Sequence, residues 1–121
     1  MSALDDLMAA NARELSPLSI LALGKALMGA TLHVPVSGAP APGQGLPVTC
    51  VPTALGGAVP AFTTVARLEA WKDAAKYADV PGDILLAMAE RMPQVSGIYV
   101  DIGHEPNAWI PRSAFASILA D

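Results

Sequence analysis

The amino-acid sequence predicts an α+β domain: a mostly antiparallel sheet of about four strands, with helices packed mainly on one face. Three observations predict it. Apolar residues recur at helical spacing before residue 30 and again between residues 63 and 92. Short alternating or continuously apolar runs lie between and after those stretches, bounded by glycine and proline. The chain has 121 residues, 53% of them hydrophobic, enough to fill one core without a disulfide or a metal. Residues 1–121 are therefore read as one domain, a helical segment over 1–30 followed by an α+β body over 31–121.

Ser2-Ala3-Leu4-Asp5 has the spacing of a helix start, with a hydroxyl for a free backbone N–H and an acid at the positive end of the helix dipole. Leu4, Leu7, Met8, Asn11 and Leu15 follow one face of that first helix. Ser16-Pro17 opens a second helix, because proline at the first helical position forfeits no hydrogen bond, and Gly29 ends it. Leu18, Ile20, Leu21, Leu23, Leu27 and Met28 surround most of this helix, so burial on more than one side is expected. Thr31 to Val36 alternates as a half-buried strand. Ser37 to Gly45 reads as a hairpin tip, Leu46 to Pro52 as a second strand, Leu55-Gly56-Gly57 as a turn and Ala58 to Phe62 as a third strand. These three strands are expected to form an antiparallel meander.

Thr63 or Thr64 caps the next helix, which is expected to bury Val65, Leu68 and Trp71 beneath the sheet, with Ala75 one turn on. Pro81 opens another helix with Leu85, Met88 and Met92 on its inner face, and Pro93 closes it. Val95 to Val100 is the fourth strand. Pro111 starts the last helix, with Phe115, Ile118 and Leu119 in one stripe.

Charge excludes some partners. A net charge of −4 with no cluster of lysine or arginine argues against nucleic acid and against an anionic membrane. The longest apolar stretch, Pro17 to Ala30, is interrupted by Lys25 and is too short to span a bilayer. Asp5 and Asp6 stand where a signal peptide needs positive charge, and Cys50 is the only cysteine; both features fit a cytoplasmic protein. Charged residues make up only 15% of the chain, which favours a covered surface and a homodimer through the Pro17–Met28 helix.

Several short blocks then stand in a recognisable order. Phe62-Thr63-Thr64 precedes a helix bearing Leu68 and Trp71; Val80-Pro81 precedes Leu85-Leu86; Gly97-Ile98-Tyr99-Val100 enters a glycine loop; Trp109-Ile110-Pro111-Arg112 follows. Together they resemble the N-terminal domain of the SseB family, named for enhanced serine sensitivity in bacteria, over Thr31 to Leu119. The resemblance implies an α+β domain of bacterial origin and cytosolic location, and no established reaction. Where that family commonly shows Asn-Pro-Gly after the fourth strand, this chain has Asp101-Ile102-Gly103, so only the glycine carries over. Larger members of the family also carry a second, C-terminal domain, whereas this chain ends at Asp121.

The candidate chemistry is sparse. Asp101, His104 and Glu105 form the densest polar cluster, but their spacing matches no defined metal site, so no metal and no cofactor are expected. Cys50 beside Val48, Thr49 and Val51 reads as a small buried apolar residue, not as a nucleophile paired with His33 or His104. The ends of the third and fourth strands are expected to lie side by side. Thr63, Thr64, Asp101, Gly103, His104 and Trp109 would then form a ligand site, with helix N–H groups and the His104 ring holding a polar molecule. Trp109 is either an apolar anchor for a partner or a lid over the sheet. The functional reading is a non-catalytic binding or regulatory module for an unknown protein or a small polar ligand. Two alternatives stand beside it: a small enzyme using Asp101, His104 or Glu105 as acid or base, and a secretion-associated interaction domain using the Pro17–Met28 helix.

Overall fold

Ser16 and Pro17 start the second helix as their chemistry requires. In the computed structural model, which describes residues 3–13, 16–36, 49–72, 76–104 and 106–120, the Ser16 hydroxyl accepts the Ser19 N–H at 3.1 Å. The Ser19 hydroxyl accepts the Ser16 N–H at 3.0 Å, closing a reciprocal capping box. Ser19 also donates to Asn11 at 2.6 Å, tying α2 (Pro17–Met28) to α1 (Ala3–Arg13), against which it packs. Ser2 and Leu15, expected in the cap and on the face of α1, lie outside the described residues, as do residues 37–48 and Ala75. The rest of the chain runs β1 (Thr31–Pro35), β2 (Val51–Thr53), β3 (Gly56–Ala61), α3 (Val65–Trp71), β4 (Tyr77–Pro81), α4 (Gly82–Glu90), β5 (Gly97–Val100) and β6 (Ala108–Pro111). A single 3-10 turn (Arg112–Ala114) then leads into α5 (Phe115–Leu119).

The fold is α+β, but the strands do not form one mostly antiparallel sheet. A four-stranded mixed sheet has the order β2-β3-β5-β6, and β1 and β4 form a separate antiparallel pair. Two unexpected strands account for the difference. β4 takes β1 as its partner, with Leu32 opposite Val80 and Val34 opposite Ala78, so β1 is not the first strand of a meander. β6 adds to the far edge, pairing Ile98 with Ile110. The hairpin of β2 and β3 is antiparallel as expected, though β2 begins at Val51. β3 and β5 are neighbours with their ends side by side, as expected; the pair is parallel, because the chain returns through α3, β4 and α4 before pairing Ala61 with Val100. One bridge links the two sheets: the backbones of His33 and Phe62 exchange hydrogen bonds at 2.8 and 2.9 Å.

Val59, Ala61, Ile98, Val100, Ala108 and Ile110 line one face of the larger sheet. They share a buried cluster with Met8 of α1, Leu23 and Leu27 of α2, Leu85, Leu86 and Ala89 of α4, and Phe115 and Ile118 of α5. α2 is fully buried at Leu23, Gly24 and Leu27, and Ile20, Leu21 and Met28 are partly buried against the same cluster as the helix meets α1, α4, α5 and β1; Leu18 stays exposed. The start of α4 is pressed against the end of α2: a Cβ on Gly82 would sit 1.8 Å from the Leu27 carbonyl oxygen, a space that only glycine fills. Leu68 is fully buried but stands outside the main cluster, and Trp71 is half-buried against the Phe62 ring, 5.5 Å between centroids. Trp71 therefore does not pack beneath the sheet.

Candidate functional site

Because β3 and β5 run parallel with Ala61 beside Val100, the segments leaving them start together. Asp101, the residue after β5, is completely buried and has φ +57°, a left-handed conformation that aspartate tolerates better than most side chains. Its own N–H bonds the Ala61 carbonyl at 2.8 Å, which holds that geometry. Its carboxylate accepts the Thr63 N–H at 2.9 Å, the Thr63 hydroxyl at 2.8 Å and Arg67 Nη1 at 2.8 Å. Arg67, on α3, also donates to the Thr63 hydroxyl at 2.9 Å. It grips Asp5 of α1 with both terminal nitrogens, at 2.6 and 2.9 Å. Hydrogen bonding by Asp5, reinforced by Asp101, holds the guanidinium pKa above its ordinary value against the opposing pull of burial, so this cation does not titrate.

This network changes the chemistry available at the loop. A carboxylate with three donors on it is an acceptor already in use, and acid–base work requires a group that can take and release a proton toward a substrate. The sequence points to Thr63 and Asp101 but not to Arg67 or Asp5. The signal for Arg67 is its place four residues after Thr63 on one helical face; nothing local links it to Asp5, 62 positions earlier.

The other expected site residues are placed as follows. Thr64 caps α3 from an exposed position, its hydroxyl accepting the Arg67 N–H at 3.2 Å. Gly103 has φ +83° and lies under the edge of the Trp71 indole. The half-buried His104 bonds back to the Asp101 carbonyl through its N–H at 3.0 Å, and its ring Nδ1 is 3.3 Å from the Pro106 carbonyl oxygen. Trp109 is on β6, not in the loop. Its ring stacks edge-on with Tyr99 and covers Gly97, at the opposite end of β5 from Asp101. Glu105 lies outside the described residues. Cys50 is exposed ahead of β2, contrary to the expected buried strand position, and the partial desolvation of its sulfur pushes the thiol pKa up. His33 pairs with Asp79 across β1 and β4 at 2.7 Å. Among the described residues, no group of three or more His, Cys, Asp or Glu is arranged to hold a metal ion, and no helix is long and apolar enough to cross a membrane.

A second candidate surface lies on the helical side. Pro17, Leu18, Ile20 and Leu21 of α2 face Pro111, Ser113, Ala114, Ser117 and Ile118 across a groove of about 310 Å3. Among the described residues, no charged one lines it. Leu18 is 78% exposed, although it is the second residue of a well-capped helix.

Compared with known proteins, the chain matches the family model of the SseB protein N-terminal domain over residues 4–117. No curated protein and no solved structure matches it.

Proposed function

The chain belongs to the SseB family through its N-terminal domain, and on that premise we propose a non-catalytic binding module of the cytosol that takes a protein partner on the groove beside α2. The observation that carries this reading is the exposed Leu18 beside a groove lined, among the described residues, by apolar side chains and two serines. Burying one such side chain is worth ~1.5–3 kcal/mol, and a partner recovers it. The polar centre supports the same reading from the other side, since the Asp101 carboxylate is engaged by Thr63 and Arg67. Methyl NMR with an amphipathic leucine-rich peptide as probe tests it. Shifts are expected at Leu18, Ile20, Leu21 and Ile118. Equal shifts at Leu55 and Ile84, which are exposed elsewhere, would mean general stickiness and would remove the reading.

A second reading keeps a small polar ligand at the loop after β5. The adjacency of Ala61 and Val100 favours it, because Thr63 and Thr64 then start beside Asp101, Gly103 and His104. The groups it relies on are the Thr64 hydroxyl and the His104 ring; Trp109, seated over Gly97, is remote from them in the strand. Titration calorimetry with small anionic metabolites, on the native chain and His104→Ala, decides the matter. Identical heats would leave the loop a purely structural one.

A further inference from the structure

We infer that Asp5 holds, from within the chain, a place on Arg67 that fits a small free carboxylate, and that α1 is the strap whose release opens it. This site uses neither the α2 groove nor the Thr64 and His104 side chains. Asp5 presents one carboxylate oxygen to each terminal nitrogen of Arg67, at 2.6 and 2.9 Å. That is the forked geometry in which a guanidinium recognises a carboxylate most selectively. Neutralising the cation does not require it. The fully buried Asp101 already sets a carboxylate against Arg67 at 2.8 Å, so Asp5 is a second anion on one guanidinium.

Adhesion of α1 does not require it either. Among the described side chains of α1, Met8 is the one fully buried apolar group, and Leu4 and Leu7 are partly buried. Asp5 and Asn11 flank Met8 one turn to either side, and each meets a polar partner on another element: Arg67 of α3, and the Ser19 hydroxyl of α2. A buried ion pair often stabilises no more than apolar side chains of the same size. The two clasps therefore fix where α1 sits while adding little to how firmly it sits. The Asp5 and Arg67 side chains keep 11% and 16% of their surface, so solvent reaches the pair and a ligand can take the place of its carboxylate from outside. Depth and charge set the class of that ligand. Behind Asp5 the contacts close on Thr63 and Asp101, which admits only a small head group. A phosphate dianion would bring an extra negative charge toward Asp101, which shares Nη1 with Asp5, whereas a carboxylate repeats the charge already held there.

NMR on the full chain, Asp5→Ala and Asp6→Ala tests the inference, with acetate as probe and chloride and phosphate at equal ionic strength as controls. Asp6 is the exposed acid of the same turn, so its variant loses the same charge on the solvent side. Alanine suits a helix at both positions. In the native chain the Leu7 and Met8 amides are expected to exchange through a local opening, with a shallower urea dependence than those of Leu23 and Leu27. In chloride, Asp5→Ala is expected to speed that exchange by ~10-fold or more, and Asp6→Ala to leave it unchanged. Acetate is expected to shift the Arg67 guanidinium and Thr63 amide signals of Asp5→Ala, binding at least ~10-fold tighter than to the native chain, where Asp5 holds the place. Should Asp5→Ala be unfolded in chloride, acetate is expected to restore its folded spectrum. Acetate acting no better than chloride or phosphate on Asp5→Ala overturns the inference, as does equal binding of acetate to the native chain. So does a native α1 that exchanges only with global unfolding. A shift confined to His104 would belong to the loop ligand of the second reading and would overturn this one.

Discussion

Asp101 combines three roles in one side chain: it holds a left-handed backbone turn, accepts the first N–H after β3 and neutralises Arg67. Asp101→Ala removes all three and leaves Arg67 with only part of its compensation. A loss of ~3–5 kcal/mol is expected, the range for breaking one partner of a buried ion pair. Asp101→Asn keeps an acceptor for Thr63 and a side chain that tolerates positive φ, so its loss should be clearly smaller. Urea midpoints at unchanged slope measure both, and equal losses would show that the backbone turn contributes little. Cys50 offers a contrasting case at the same scale. It is accessible, but its raised pKa delays thiolate formation to higher pH. The pH–rate curve for its alkylation should therefore lie to the alkaline side of that for the same thiol in the urea-unfolded chain. Coincident curves would contradict this.

At the scale of elements, α4 owes its ending to a residue far along the chain. Arg112 donates through Nη1 to the carbonyls of Ala89, Met92 and Val95 at 3.2, 2.8 and 3.0 Å, and through Nη2 to that of Glu90. Ala89 and Glu90 close the last turn of α4, where a helix runs out of intrahelical donors, and Met92 and Val95 belong to the segment that follows. Arg112→Lys keeps the charge but not the planar fork, so it should recover only part of the ~2–3 kcal/mol that Arg112→Ala is expected to cost; thermal melts of the pair check this. Elements built on such local chemistry were legible in the sequence: the Ser16-Pro17 start, the Thr64 cap, the β2–β3 hairpin and the helix after Pro81. β4 was not legible, because Tyr77 to Pro81 buries only Val80 and ends in a proline that also signals a helix start. β6 was hidden for a similar reason, ending at Pro111 and counted as the approach to the last helix. The parallel pairing of β3 with β5 has no local signature at all. At the site, the nearness of Thr63 to Asp101 followed from two apolar strands leading into polar segments. The cation joining them to Asp5 did not, since that contact depends on how α1 docks.

For the whole molecule, the division into two sheets makes a prediction about exchange. Both backbone groups of His33 are bonded to Phe62, so they point away from β4, and the facing pair His33–Asp79 exchanges no backbone hydrogen bonds. The Asp79 N–H therefore points out from the open edge of β4, while those of Ala78 and Val80 point toward β1. Hydrogen exchange followed by NMR should show Asp79 fast, its two neighbours slow, and Val59 and Ile98 slower still at the centre of the larger sheet. A protected Asp79 amide would mean that another strand covers that edge.

The Arg67 cluster also bears on the order in which the chain acquires its structure. Thr63 and Asp101 meet only after β3 and β5 have paired Ala58 with Gly97 across an intervening helix, strand and helix. Closing that long connection is the slow, entropically costly event. Asp5 joins the cluster through the docking of α1. The cluster is thus a latch that closes behind the rate-limiting step, and it governs how long the native state lasts, not how quickly it is reached. Stopped-flow traces of Asp101→Asn should accordingly show faster unfolding with a nearly unchanged refolding limb.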